Sequence, residues 1–211
     1  MVTITFNNVD CGIIVGFDIN CGTNFQDPDC PEEVFSSGTD DSKLIDYFST
    51  LVSNKVTPAV ISGPLTFNDQ IFATSQLSNV GPDNFNLSIN EFEYSDNTHE
   101  IESIAHFAAD PGVYDLGGLN MQAGIVENVN HVYKWVYFEK PFDKVPIVVA
   151  NQITQNGEES SIARIHSVSK TRFRVKLQEA ESSDNVHGFE TISYMAFEPG
   201  RGDIGENKVV S

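Results

Sequence analysis

Two short polar segments share a pattern of side chains that could bind a ligand. The sequence Ser-Asp-Asn-x-His, followed three residues later by Glu, occupies residues 95–102 and 183–190. Oxygens of Asp and Asn can accept hydrogen bonds from hydroxyl groups or coordinate a cation, and a histidine oriented by a glutamate can donate or accept. The pattern predicts a polar pocket in each segment. Its candidate ligand-binding residues are Asp96, His99, Asp184 and His187.

The same segments also have a structural interpretation. Asp184-Asn185 can form a turn by hydrogen bonding to its own backbone. His187 and Glu190 can pair across the end of a strand. The sequence leaves both interpretations open.

A pair of glutamates precedes each polar segment. Glu179 and Glu181, matched by Glu91 and Glu93, are two residues apart and would point to the same face of a strand. Two carboxylates about 7 Å apart permit glycosidase chemistry, but no aromatic cleft pattern surrounds them. A cation site, with Ca²⁺ as the ion to test, or a solvated acidic face is the stronger prediction. We therefore predict that the chain is not an enzyme.

Cationic residues form a stripe in an otherwise acidic chain. Arg172, Arg174 and Lys176 alternate with apolar residues over 172–177, which is the pattern of a half-buried strand. The stripe predicts charge balance across strands, with docking on an acidic surface of a neighbouring subunit as the alternative. Trp135 is predicted to pack in a core rather than to stack on a ligand.

The elements that position these residues occur twice. Displacing the chain by 88 residues aligns Pro58 with Pro146 and residues 95–99 with 183–187, and nineteen of the sixty positions from Pro58 to Gly117 are identical. Unrelated sequence would match at roughly one position in sixteen. A tandem duplication is the interpretation that this similarity favours.

Each copy is predicted to be an antiparallel β-sandwich. Short alternating segments are punctuated by turn residues, without a convincing helix between them. Leu44 to Val52 has helical spacing, but its repeat partner reads as a strand, so we predict a strand there. The predicted strands of the second copy are 133–138, 147–153, 161–167, 173–177 and 191–197, with the last buried on both faces. The predicted domains are a Cys-containing N-terminal extension (1–40), a first sandwich (41–123) and a second sandwich (124–211).

Composition excludes some classes of partner. Thirty acidic and twelve basic residues give a formal charge of −18, which repels nucleic acid and anionic lipid. The sequence shows no stretch long enough to span a bilayer and no signal-peptide pattern. Cys11, Cys21 and Cys30 lack the spacing of a zinc site, which favours one disulfide and one free thiol.

The second copy resembles the H-type lectins. The resemblance lies in Val136-Tyr-Phe-Glu-Lys-Pro-Phe142, Ala163-Arg-Ile-His-Ser-Val-Ser169, Thr171-Arg-Phe173 and Ile192-Ser-Tyr-Met-Ala-Phe197. It covers residues 130–198 well and residues 44–110 through the repeat. It implies a six-stranded sandwich, a homotrimer, and sugar binding without catalysis, with Arg164 at a family-like binding position.

One departure from the family concerns the sugar platform. Family members carry an aromatic–histidine pair where this chain has Ala180-Glu181 in the second copy and Phe92-Glu93 in the first. The resemblance therefore does not imply galactosamine specificity. It adds Phe92 and Glu93 to the candidate ligand-binding residues, beside Glu179 and Glu181.

Two functions remain open from the sequence. The first is an extracellular carbohydrate-binding or adhesion module, acting on glycans or a cell-surface polysaccharide. The second is a structural or oligomerisation module of a larger secreted or virion protein with no sugar site, which the missing aromatic–histidine pair favours.

Overall fold

The computed structural model describes residues 2–5, 14–20, 56–91, 99, 102–157, 159–179, 183–204 and 207–210, with backbone alone for 2–5, 14–20, 202–204 and 207–210. The described residues form β-strands and contain no helix. Among them there is therefore no helix that could cross a membrane. The predicted all-β class is confirmed. The three cysteines and the segment 44–52 lie outside the described residues.

The strands follow one another through the described chain. Every strand pairing is antiparallel. In chain order they are β1 (Val2–Thr5), β2 (Ile14–Asn20), β3 (Ala59–Leu65), β4 (Ala73–Ser78), β5 (Asn84–Glu91), β6 (Glu102–Ala109), β7 (Gly112–Asp115), β8 (Asn120–Val129), β9 (Lys134–Tyr137), β10 (Ile147–Gln152), β11 (Ser161–His166), β12 (Arg172–Glu179), β13 (Glu190–Phe197), β14 (Arg201–Ile204) and β15 (Asn207–Val210).

The duplication is visible in the strands themselves. Strands β4, β5 and β6 recur 88 residues later as β11, β12 and β13, each with the same length. Strands β5 and β12 also share one pattern of alternating half-buried and buried residues. Similar sequence therefore places similar strands in both copies.

The second copy is a sandwich of two sheets. One sheet has the strand order β11-β12-β9, and the other sheet has the strand order β10-β13-β8-β7. Phe173, Val175 and Leu177 of β12 are fully buried between them, as their alternation predicts. Strand β8 crosses the predicted domain boundary at residue 123 and pairs with both β7 and β13.

The first copy uses strands from the N-terminal segment. Its two sheets have the orders β1-β5-β4 and β2-β6-β3. Strand β1 takes the place that β9 has in the second copy, since β1 pairs with β5 and β9 pairs with β12. In the same way β2 corresponds to β8, since β2 pairs with β6 and β8 pairs with β13. The buried core of this copy includes Phe85, Leu87 and Ile104.

The two sandwiches meet through the sheets that contain β6 and β13. A third apolar cluster joins Ala59 and Ala109 of the first copy to Met121 and Met195 of the second. Strand β13 is therefore buried on both faces, as predicted. Its Ile192, Tyr194 and Ala196 face the second core, while the Ser193 hydroxyl donates to the carbonyl of Val60 across the junction.

A buried histidine lies inside the first core. His106 of β6 is 3% exposed, its ring centroid lies 5.5 Å from that of Phe85, and neither ring nitrogen has a hydrogen-bond partner among the described residues. Burial disfavours the charged imidazolium and lowers the pKa of His106 to about 4. The fold thus holds this side chain neutral.

This burial makes stability depend on pH. The unfolded chain binds a proton at position 106 below about pH 6.5, whereas the folded chain resists it until about pH 4, so stability falls as pH drops through this window. Between pH 7 and pH 5 the loss is about 2 kcal/mol. Urea unfolding of His106→Met should lack this part of the loss, while exposed His166→Gln should retain it. Equal pH dependence in wild type and His106→Met would contradict the assignment.

Candidate functional site

A buried glutamate organises the end of the second sandwich. Glu190, at the start of β13, is 1% exposed. Its Oε1 accepts hydrogen bonds from the amides of Asn156 (2.7 Å) and Gly157 (2.8 Å), and its Oε2 accepts from the hydroxyl of Thr154. The Thr154 oxygen in turn accepts from the Thr191 amide at 2.8 Å. These bonds fix the loop between β10 and β11 against β13.

His187 joins this loop to the end of β12. Its Nδ1 lies 2.9 Å from Glu179 Oε1, and its Nε2 lies 3.5 Å from Glu190 Oε1 and 3.3 Å from Ser161 Oγ. The imidazole and both carboxylates are buried. Gly157 permits this packing, because an added Cβ would lie 2.9 Å from His187 Cε1. We call Glu179, His187 and Glu190 the second triad.

The first copy contains the same arrangement 88 residues earlier. Glu102 Oε1 accepts from the amides of Asn68 (2.8 Å) and Asp69 (3.0 Å), and Oε2 accepts from the Thr66 hydroxyl. His99 lies between Glu91 (Nδ1 to Oε1, 3.1 Å) and Glu102 (Nε2 to Oε1, 3.6 Å). We call Glu91, His99 and Glu102 the first triad.

Hydrogen bonds decide the ionisation of Glu102. Burial raises the pKa of this carboxyl, but the Thr66 hydroxyl, the two loop amides and His99 lower it by more, so the pKa lies below its ordinary value. A carboxylate that accepts several hydrogen bonds is stable inside a protein, whereas an unpaired one is costly. The triads therefore stabilise the loops that surround them.

The polar segment before His187 forms a turn, as the structural interpretation predicts. Asp184 Oδ1 accepts from the Val186 amide at 2.8 Å, and Asn185 has φ of +64°, in the left-handed region. Both side chains are exposed, while His187 is buried. The turn thus places the His187 side chain in the interior of the sandwich.

One of the two alternatives for the glutamates is excluded. Glu179 and Glu91 were predicted to lie either in a cation site or on a solvated acidic face, and both are buried at the inward-facing ends of β12 and β5. The alternation of these strands continues to their last residue, so the glutamate occupies a core position. The solvated face is thereby excluded for these two residues.

A different surface gathers the exposed aromatic and cationic residues. The outward face of the sheet β11-β12-β9 presents three partly exposed rings beside four cations, because alternate residues of each strand point outward. We call this surface the aromatic–cationic face. Its residues are Tyr133, Trp135, Tyr137, Arg164, Arg172, Arg174 and Lys176.

Cation–ring contacts order this face. The guanidinium carbon of Arg172 lies 4.1 Å from the centroid of the Trp135 ring and that of Arg174 lies 5.1 Å from it. Arg172 Nη1 also donates to the Tyr137 hydroxyl at 3.1 Å, and Arg174 Nη2 donates to His166 Nδ1 at 2.9 Å. Stacking of this kind holds a guanidinium in place while leaving its edge able to donate.

Two predictions fail on this face. Trp135 does not pack in a core but is 39% exposed, because position 135 of β9 points outward opposite Arg174. The cations are not balanced across strands either, since Arg164 faces Lys176 and Arg172 faces Tyr137. No salt bridge between residues that the structure describes involves this face.

A cavity of about 690 Å³ adjoins the first triad. His99 and Glu102 line it together with the exposed rings of Phe67 and Phe72. Its far wall is formed by residues 149–151 of the second copy. The cavity therefore lies where the two copies meet.

The predicted site residues fall into three groups. The structure brings Glu179 and His187 into contact and places His99 in the matching triad, whereas Asp184 belongs to a turn and Arg164 to the aromatic–cationic face. The remaining candidates lie outside the described residues. They are Phe92, Glu93, Asp96 and Glu181.

Comparison with known proteins yields a partial similarity. Halomucin from Haloquadratum walsbyi is 24% identical to this chain over 162 residues, which is 71% of the chain and 2% of that protein. The chain thus spans a small part of the length of the relative it matches. No protein-family model and no solved structure matches the chain.

Several residues that form or support the triads were absent from the sequence-based candidates. Thr154 and Asn156 were missed, although the 88-residue offset pairs them with the identical Thr66 and Asn68. Glu190 was considered only as a residue that orients His187. The identity of these polar loop residues between the two copies was the sequence signal that could have identified them as part of the network.

Removal of one hydroxyl tests the triad network. Thr154→Val preserves shape but deletes the donor to Glu190 and the acceptor for the Thr191 amide. We expect the free energy of unfolding to fall by about 1–3 kcal/mol, measured by urea denaturation. Exposed Thr171→Val serves as the matched control and should stay within about 0.5 kcal/mol of wild type. Similar stability of the two variants would show that the network is not stabilising.

Proposed function

We propose that this chain is an extracellular, non-catalytic module that binds acidic polysaccharides through the aromatic–cationic face. The observation that carries the proposal is the pair of guanidinium groups stacked on the exposed Trp135 ring, at 4.1 and 5.1 Å. The similarity to a segment of Halomucin supports the extracellular location. The antiparallel sandwich supports the proposed relationship to the H-type lectins.

The chemistry of the face suits a carboxylated or sulfated sugar. Arginine donates two parallel hydrogen bonds to a planar carboxylate or to a sulfate, and such charge-assisted bonds are the stronger kind. Exposed rings of Tyr and Trp add apolar area beside a polar tip, which fits the mixed surface of a sugar ring. Arg164 and Lys176, paired across β11 and β12, extend the cationic stripe.

The rest of the chain restricts binding to this face. A net charge of −18 repels anions at long range, but screening at physiological ionic strength confines that repulsion to about 8 Å. Four cations without a carboxylate partner in the described structure can attract the separated charges of an acidic polysaccharide at contact. Nucleic acid, with its dense phosphates, is the poorer ligand for such a surface.

The triads support a non-catalytic function. Their carboxylates are buried and are held by hydrogen bonds from loop amides, or by His187 and His99. A glycosidase needs two carboxyl groups that flank a scissile bond in a cleft. These carboxylates instead connect strands and loops.

Affinity electrophoresis tests the proposal. In native gels that contain polygalacturonate or chondroitin sulfate, we expect the wild-type chain to be retarded, with no retardation by neutral dextran. Arg172→Gln together with Arg174→Gln should weaken binding by about tenfold or more, since two charge-assisted bonds are lost. The control, Lys140→Gln together with Lys144→Gln, removes two exposed cations elsewhere. Equal retardation of both double variants, or equal retardation by dextran, would contradict the proposal.

An assembly module is the second candidate function. The cationic face of one chain is complementary to the acidic remainder of another, which favours self-association, including the homotrimer that the lectin resemblance implies. Sedimentation velocity distinguishes the two functions. An oligomer that dissociates in the Arg172→Gln, Arg174→Gln variant, without binding to any polysaccharide, would favour assembly.

A further inference from the structure

We propose that the second sandwich holds a zinc ion between Glu159, Glu179 and His187. One ligand atom from each of these residues lies within 4.8 Å of the others. Glu159 is exposed at the loop before β11, while Glu179 and His187 belong to the second triad. The exposed Glu159 and the buried Glu179 and His187 therefore place their ligand atoms close to one another.

An unpartnered oxygen points to the ligand. Glu179 is 4% exposed, and its Oε2 is buried without a hydrogen-bond partner among the described residues. Such an oxygen is costly in a folded protein unless a hydrogen-bond donor or a cation satisfies it. The other oxygen, Oε1, already contacts His187 Nδ1 at 2.9 Å. A cation at this point would satisfy the carboxylate.

The surroundings of His187 suit a metal ligand. Its Nδ1 faces the carboxylate of Glu179, while its Nε2 lies 3.5 Å from Glu190 Oε1 and 3.3 Å from Ser161 Oγ. A ligating histidine ordinarily uses one nitrogen for the metal and donates the other N–H to a carboxylate, which fixes the ring. Glu190, itself held by two loop amides, would supply that acceptor.

The donor set favours zinc over calcium. Zinc accepts imidazole nitrogen together with carboxylate oxygen and needs four ligands, of which three can come from the protein. Calcium takes six to eight oxygens and does not favour imidazole. The exposed position of Glu159 leaves the remaining coordination position open to water.

The two copies differ at the proposed ligands. Ile71 stands in the first copy where Glu159 stands in the second, and it offers no ligand atom. Asp69, at the position of Gly157, lies 3.8 Å from His99 Nδ1. Because the unpartnered Glu179 oxygen and Glu159 both belong to the second copy, the proposal concerns that copy.

Calorimetric titration with ZnCl₂ tests the site. After treatment with a chelator and dialysis, the full chain should bind one zinc ion per chain, and Glu159→Gln should weaken binding by about tenfold or more. Glu159 is exposed, so this variant should keep the fold, which circular dichroism checks. Exposed Glu127→Gln is the matched control and should bind as wild type does. Zinc should also raise the Tm of wild type and control, but not that of Glu159→Gln.

Two results would overturn the zinc site. One is the absence of saturable binding by the wild-type chain. The other is equal affinity of Glu159→Gln and Glu127→Gln, which would place any bound zinc elsewhere. Polysaccharide binding should be the same with and without zinc, so failure of either proposal leaves the other intact.

Discussion

A carboxylate inside a β-sandwich must be given hydrogen-bond donors, and this requirement shapes both copies of the chain. Glu190 and Glu102 obtain donors from a threonine hydroxyl and from the amides of a loop that must fold back over them. The histidine of each triad then joins that loop to the end of the neighbouring strand. Duplication retained this network because an unsatisfied buried carboxylate destabilises the fold.

The surface of the chain was free to diverge around this conserved interior. Strand β5 shows Asn and Ser at its outward positions where β12 shows Arg and Lys, while the inward residues of both strands remain apolar up to the final glutamate. Inward substitutions are constrained by close packing, whereas outward ones change stability little. The aromatic–cationic face therefore belongs to one copy, and it concentrates positive charge in a strongly acidic chain.

Much of the architecture could be predicted from periodicity. The positions of β11, β12 and β13 follow from alternation and from the 88-residue repeat to within two residues at each end, and burial of β13 on both faces follows from its continuous apolar run. The predicted core position of Trp135 and the predicted solvated face for Glu179 failed for one reason. Residue type suggested core for the tryptophan and surface for the glutamate, but strand register placed each on the opposite side.

The sequence alone determined the duplication, the all-β class and the inward residues of the strands, because these depend on patterns local to each segment. Only the tertiary structure decided which polar residues meet. Glu179, His187 and Glu190 are separated along the chain by up to eleven positions, and their loop partners precede Glu190 by more than thirty. Contacts of that separation depend on sheet order and register, which local patterns do not specify.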